Sequence, residues 1–131
     1  MPNSYEDGFG FLNPTNSSDG SFDEDGDGAS NSDEYVSGTG PNNSSDFLRM
    51  TQMSSSSTGI VVRFPARVRR EYRIHYDDFL VVGASWSNAT PTPITVGVDG
   101  DYVWTDDGTH TDPDPSVVTS RFYKVDVRLA E

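Results

Sequence analysis

The sequence predicts an all-β fold, a small antiparallel β-sandwich or barrel of five to seven strands preceded by a long extended, low-complexity N-terminal arm. Three observations carry this. Of the chain's 27 Leu, Ile, Val and Phe residues, 20 fall within residues 58–131. There they alternate with polar residues at period two, and no stretch shows the 3.6-residue period of an amphipathic helix. The first part is built from residue types that bury little: Ser, Gly, Asn and Pro supply 29 of residues 1–57.

Residues 1–57 carry ten acids and a single base, Arg49. Such a segment cannot bury enough apolar surface to offset its ordering entropy, so it reads as an arm that takes its shape from whatever it lies against. Its scattered apolar side chains, Phe9, Phe11, Leu12, Phe22, Phe47 and Leu48, read as partner-binding anchors along a polar string. Each would contribute about 1–3 kcal/mol in a neighbour's pocket.

The folded part spans residues 58–131. Gly59 to Phe64 reads as a strand stopped by Pro65. From Val68 to Tyr76 the alternation is clean, with Val68, Arg70, Tyr72, Ile74 and Tyr76 on one face and Arg67, Arg69, Glu71, Arg73 and His75 on the other. Phe79 to Ala84 is a continuous apolar run, as in a central strand. Ile94–Val98, Asp99-Gly100 and Asp101–Trp104 read as a hairpin, because a type I′ turn needs positive φ at both central residues. Arg121 to Leu129 alternates again, with Tyr123, Val125, Val127 and Leu129 inward. So small a β domain has a limited core, which points to a homo-oligomer, a trimer being one form, or to docking in a larger assembly.

Composition removes several function classes. With 21 acidic and 9 basic residues the net charge is −12, which disfavours nucleic acid as a partner. There is no cysteine, hence no disulfide framework, thiolate site or thiol nucleophile. No apolar run approaches the roughly 18 residues of a membrane span, and residues 1–7 lack the basic and apolar regions of a signal peptide.

One motif match is complete. Asp23, Asp25 and Asp27, then Gly28, then Glu34 six residues later, fit the pattern of a calcium loop, with Ala29 supplying a backbone carbonyl. The flanking segments 16–21 and 37–43 are helix-breaking, and position eight, usually apolar, is Ser30. Acidic low-complexity sequence meeting a permissive pattern is the simpler reading, with a helix-free calcium loop as the alternative. A second group, Asp106, Asp107, His110, Asp112 and Asp114, reads as a polar loop rather than a cation site. Arg67, Arg69 and Arg73 share a strand face and form a candidate docking stripe for an acidic partner. Trp86, Tyr102 and Trp104 are either a sugar-binding platform or, more simply, core. The sequons beginning at Asn16, Asn42, Asn43 and Asn88 are expected by chance in so Ser/Asn-rich a chain. No nucleophile elbow, phosphate loop or zinc helix motif is present, so the expected class is non-enzymatic.

The charge also has a distinctive make-up. Sixteen of the 21 acids are Asp, and eight of the nine bases are Arg, Lys124 being the one lysine. This resembles the proteins of extremely halophilic archaea and their viruses; in concentrated salt the Debye length falls to roughly 3 Å, so dense like charge costs little. Together with a β domain behind an arm, it resembles the virion structural proteins of haloarchaeal tailed viruses. The resemblance implies a capsid decoration (cement) or minor capsid protein, located in the virion and clamping the major capsid protein or other virion subunits. A head–tail connector or tail component is the nearest variant. An extracellular β-sandwich module for carbohydrate or calcium is the alternative from another class.

Overall fold

A computed structural model of the 131-residue chain describes residues 1–83 and 85–131. It contains two compact units, Met1–Leu48 and Arg49–Glu131.

The second unit is the β fold. Its strands are β1 (Gln52–Ser56), β2 (Gly59–Ala66), β3 (Arg70–Asp77), β4 (Ser87–Asn88), β5 (Gly100–Asp106) and β6 (Phe122–Leu129). They form two antiparallel three-stranded sheets, ordered β1-β2-β5 and β4-β3-β6, so the fold is a small sandwich and not a closed barrel. Period-two alternation places Val62, Phe64 and Ala66 of β2 and Tyr72, Ile74 and Tyr76 of β3 in the core, all at most 8% exposed. Phe64 meets Tyr72 with ring centroids 5.2 Å apart, and Trp104 meets Tyr123 at 6.0 Å, joining one sheet to the other.

Several local expectations are corrected. Gln52–Ser56, assigned to the arm, is an edge strand joined to β2 through Ser57 and Thr58. Its serines gave no apolar signal, and its pairing with β2 supplies the order. Pro65 does not stop β2. The Arg63 carbonyl accepts from Thr51 N at 2.8 Å, so the backbone of residue 65 faces the same side, where β1 has already ended and no donor is needed. Val68 and Arg69 lie in a turn before β3, Arg69 with φ of 59°.

The Asp99-Gly100 hairpin does not form either. Tyr72 and Ile94 exchange backbone hydrogen bonds of 2.9 Å as an isolated bridge, and β5 pairs with β2. The Asp99 carboxylate instead accepts from Val68 N at 2.7 Å, capping the turn that leads into β3. The expected central strand at Phe79–Ala84 is not a strand as far as Gly83; Ala84 lies outside the described residues. Along Arg121–Leu129 the alternation holds at the start and fades: Tyr123 is buried, Val125 and Val127 are half-buried, and Leu129, expected inward, is exposed at the end of the strand, as are Asp126 and Arg128.

The first unit departs most from expectation: residues 1–48 are compact rather than an extended arm. They contain α1 (Asn3–Glu6), a 3-10 turn at Asp19–Ser21 and α2 (Asn31–Ser37). These helices are too short to display a period, but α2 has both local stop signals. Ser30 Oγ accepts from Asp33 N at its start, and Gly38, with φ of 79°, ends it. Tyr5, Phe9, Phe11 and Tyr35 form a chain of ring contacts between 4.8 and 5.6 Å. Leu12 and Pro41 are the buried apolar side chains larger than alanine in the unit, and polar groups make up most of the rest of the interior: Glu6, Asp19, Asn31, Glu34, Ser37 and Thr39. Among the described residues no helix is long and apolar enough to cross a membrane.

Candidate functional sites, an acidic loop and an apolar tip

The acidic loop starts after Phe22, whose carbonyl accepts from Asn31 N at 2.8 Å and so closes the loop at its neck. Inside, carboxylates organise the backbone. Asp23 Oδ1 accepts from Gly26 N at 2.8 Å and Asp23 Oδ2 from Gly28 N at 2.9 Å. Asp27 Oδ1 accepts from Ala29 N at 2.8 Å. Gly26 and Gly28 have φ of 76° and 99°, which the tight turns require. One carboxylate oxygen from each of Asp23, Asp25 and Asp27 lies within 4.8 Å of the others.

Glu34 projects from α2, in the first turn after the loop. It is fully buried, and its Oε1 receives a long bond of 3.4 Å from Thr39 Oγ1. Its Oε2 has no partner, and neither have the buried Asp25 Oδ2 and Asp27 Oδ2. Burial, followed by the charges of Asp25, Asp27 and Asp23, pushes the Glu34 carboxyl up to about 7. The exit helix that sequence reasoning discounted is therefore present as α2, while the entry side is a 3-10 turn. Ser30 at position eight is the N-cap of α2.

The apolar tip follows β3. Phe79, Leu80, Val81 and Val82 are 73%, 67%, 62% and 107% exposed. Asp77 Oδ1 accepts from Phe79 N at 2.8 Å, ending the strand. The base of the tip is pinned by Arg121, whose Nε and Nη2 bind both oxygens of Asp78 at 2.6 and 3.1 Å. Arg121 Nη1 also binds Asp106 Oδ2 at 3.0 Å, Nη2 binds the Pro113 carbonyl at 2.6 Å, and its guanidinium lies over the Tyr76 ring. Asp106 further accepts from Tyr123 OH at 2.7 Å and from Thr111 Oγ1 at 2.5 Å. Burial, with its donation to Asp106, holds the Tyr123 phenol well above the usual range. Beside the tip, Asp78, Phe79, Pro113, Val117 and Val118 line a shallow cleft of about 340 Å³.

The remaining candidates are dispersed. Phe9, Phe11 and Leu12 are used inside their own unit rather than offered as anchors. Phe22 is 56% exposed, and Phe47 and Leu48 are half-buried. Arg67 and Arg69 sit in the turn, and only Arg73 is on β3, where its Nη1 donates to the Thr90 and Pro91 carbonyls. The stripe is therefore not formed, because the turn takes the first two arginines off the strand. Trp86 lies under Lys124 while Tyr102 and Trp104 pack against Phe64 and Tyr123, so they make no common platform. Asp106 is fully engaged with Arg121, Tyr123 and Thr111, which takes it out of any cation site in its loop.

No protein-family model, curated protein or solved structure matches the chain.

Proposed function

We propose that the chain is a non-enzymatic assembly component that docks through the Phe79–Val82 tip onto an apolar surface of a neighbouring subunit, another copy in the first instance. The observation that carries this is four consecutive large apolar side chains held out into solvent directly after Asp78, which Arg121 binds through both carboxylate oxygens. Contiguous apolar exposure of this kind is costly unless a partner covers it. The described residues of the β unit bury nine hydrophobic side chains, a small core that leaves room for stabilisation by association. The reading as non-enzymatic is supported by the Arg121–Asp106–Asp78–Tyr123 cluster, whose charged and hydroxyl groups satisfy one another.

The setting we propose is the virion of a halophilic virus, on the Asp-over-Glu and Arg-over-Lys composition. A compact first unit withdraws the support that an extended clamp gave to a specific cement role, so the proposal stops at an assembly part of shell or tail.

Sedimentation equilibrium of the full chain in concentrated NaCl is the test. Phe79→Ser with Val82→Ser, both at exposed positions, is expected to convert an oligomer to a monomer with unchanged circular dichroism. A wild-type chain that stays monomeric at about 100 μM, weaker than most stable interfaces, would count against the reading.

A further inference from the structure

Met1–Leu48 contains ten acids and no lysine or arginine, so the unit has no side-chain cation of its own with which to neutralise a buried carboxylate. Yet Glu34 is fully buried with Oε2 unpartnered, and it lies close enough to Asp25, Asp27 and Asp23 to feel the charge of each. Asp25 Oδ2 and Asp27 Oδ2 are likewise buried and unpartnered. Leaving buried polar oxygens unmatched is expensive, and placing four like charges together more so. Burial and orphaning of Glu34 are observations separate from the clustering of the aspartates, and both are answered by one positive ion.

We propose that Asp23, Asp25, Asp27 and Glu34, with the Ala29 carbonyl, bind one calcium ion, which holds the loop against α2. The donor set is oxygen only, with neither imidazole nor thiolate, which selects a hard cation over zinc or copper. Calcium is favoured over magnesium because a loop of several carboxylates and a carbonyl offers many ligands in flexible geometry, whereas magnesium demands a tight octahedron and gives up water reluctantly. The spacing adds its own assignment of roles: positions one, three and five of the loop are the aspartates, seven is Ala29, and twelve is the glutamate that closes the shell. Position two, Glu24, is exposed and takes no ligand role.

Titration calorimetry of the full chain with CaCl₂, in chelator-treated buffered NaCl, tests this. One ion per chain is expected, with Kd between about 10⁻⁶ and 10⁻³ M. Glu34→Gln, which keeps shape and hydrogen-bonding capacity, and Asp25→Asn are each expected to weaken binding at least about tenfold, while Glu24→Gln removes the same charge and leaves it unchanged. MgCl₂ is expected to bind at least about tenfold more weakly. Circular dichroism of each variant separates lost ligands from a lost fold. No saturable heat up to about 10 mM CaCl₂, beyond the weakest protein sites, overturns the proposal. So does wild-type affinity in both Glu34→Gln and Asp25→Asn, or equal losses in Glu24→Gln and Glu34→Gln. Equal affinity for magnesium overturns the assignment to calcium.

Discussion

Replacing Arg121 by alanine strands two carboxylates, Asp78 and Asp106, whose side chains are 17% and 1% exposed. Removing one partner of a buried charge pair costs about 3–5 kcal/mol, against under about 1 kcal/mol for an exposed pair. Urea unfolding of Arg121→Ala is therefore expected to show a loss in the first range, and Arg128→Ala, whose pair with Glu71 is on the surface, a loss in the second. Equal losses would refute the role assigned to Arg121. Tyr123 adds a pH signature. Its pKa is raised on folding, so its contribution is fully present below the unfolded phenol's value, about 10, and is lost as pH climbs through the higher folded value. Stability measured at rising alkaline pH is expected to fall more steeply in the wild type than in Tyr123→Phe; superimposable curves would contradict it. At this scale the carboxylates proposed to hold calcium were legible because their spacing is local. The burial of Glu34 and the convergence of Asp78, Asp106 and Arg121 were not, since those partners lie 15 to 43 residues apart.

Elements formed where local signals and neighbours agreed. β3 and β6 were readable because strict alternation serves a sheet with one buried face. Phe79–Val82 has the residue types of a central strand, yet β-propensity describes fit to a pleated neighbour, and here no described strand pairs with it. The hairpin between β1 and β2 depends on one glycine. Gly59 has φ of 139°, and a Cβ there would collide with the Asp106 carbonyl on the neighbouring strand. Gly59→Ala is expected to cost more than the roughly 1–3 kcal/mol of an isolated backbone strain, read as a lowered denaturation midpoint; a neutral effect would mean the strands separate at little cost. In α2, Ser30→Ala removes the N-cap and is expected to cost about 1 kcal/mol, checked by unfolding of the calcium-free chain.

Charge is the property of the whole molecule, and it is unevenly shared: the Met1–Leu48 unit carries ten of the 21 acids and none of the nine bases. Self-repulsion on that scale is screened by salt. The melting temperature is expected to rise between about 0.1 and 2 M NaCl, as the Debye length falls from roughly 10 Å toward 3 Å or less. A flat or falling dependence would remove the basis for a halophilic setting. The same composition explains why residues 1–48 read as an arm. Ser, Gly, Asn and Asp are poor core formers, but here they act through turns, caps and carboxylate–backbone bonds, which make a compact unit with very little apolar burial. The sequence by itself determined the β class, the inward Tyr72, Ile74 and Tyr76 of β3 and the carboxylate spacing of the acidic loop, all of which rest on period and local chemistry. Only the tertiary structure decided that Glu34 is buried against that loop, that Asp78, Asp106 and Arg121 meet, and that Phe79–Val82 stand exposed. Those outcomes depend on contacts between segments distant along the chain, which no local pattern encodes.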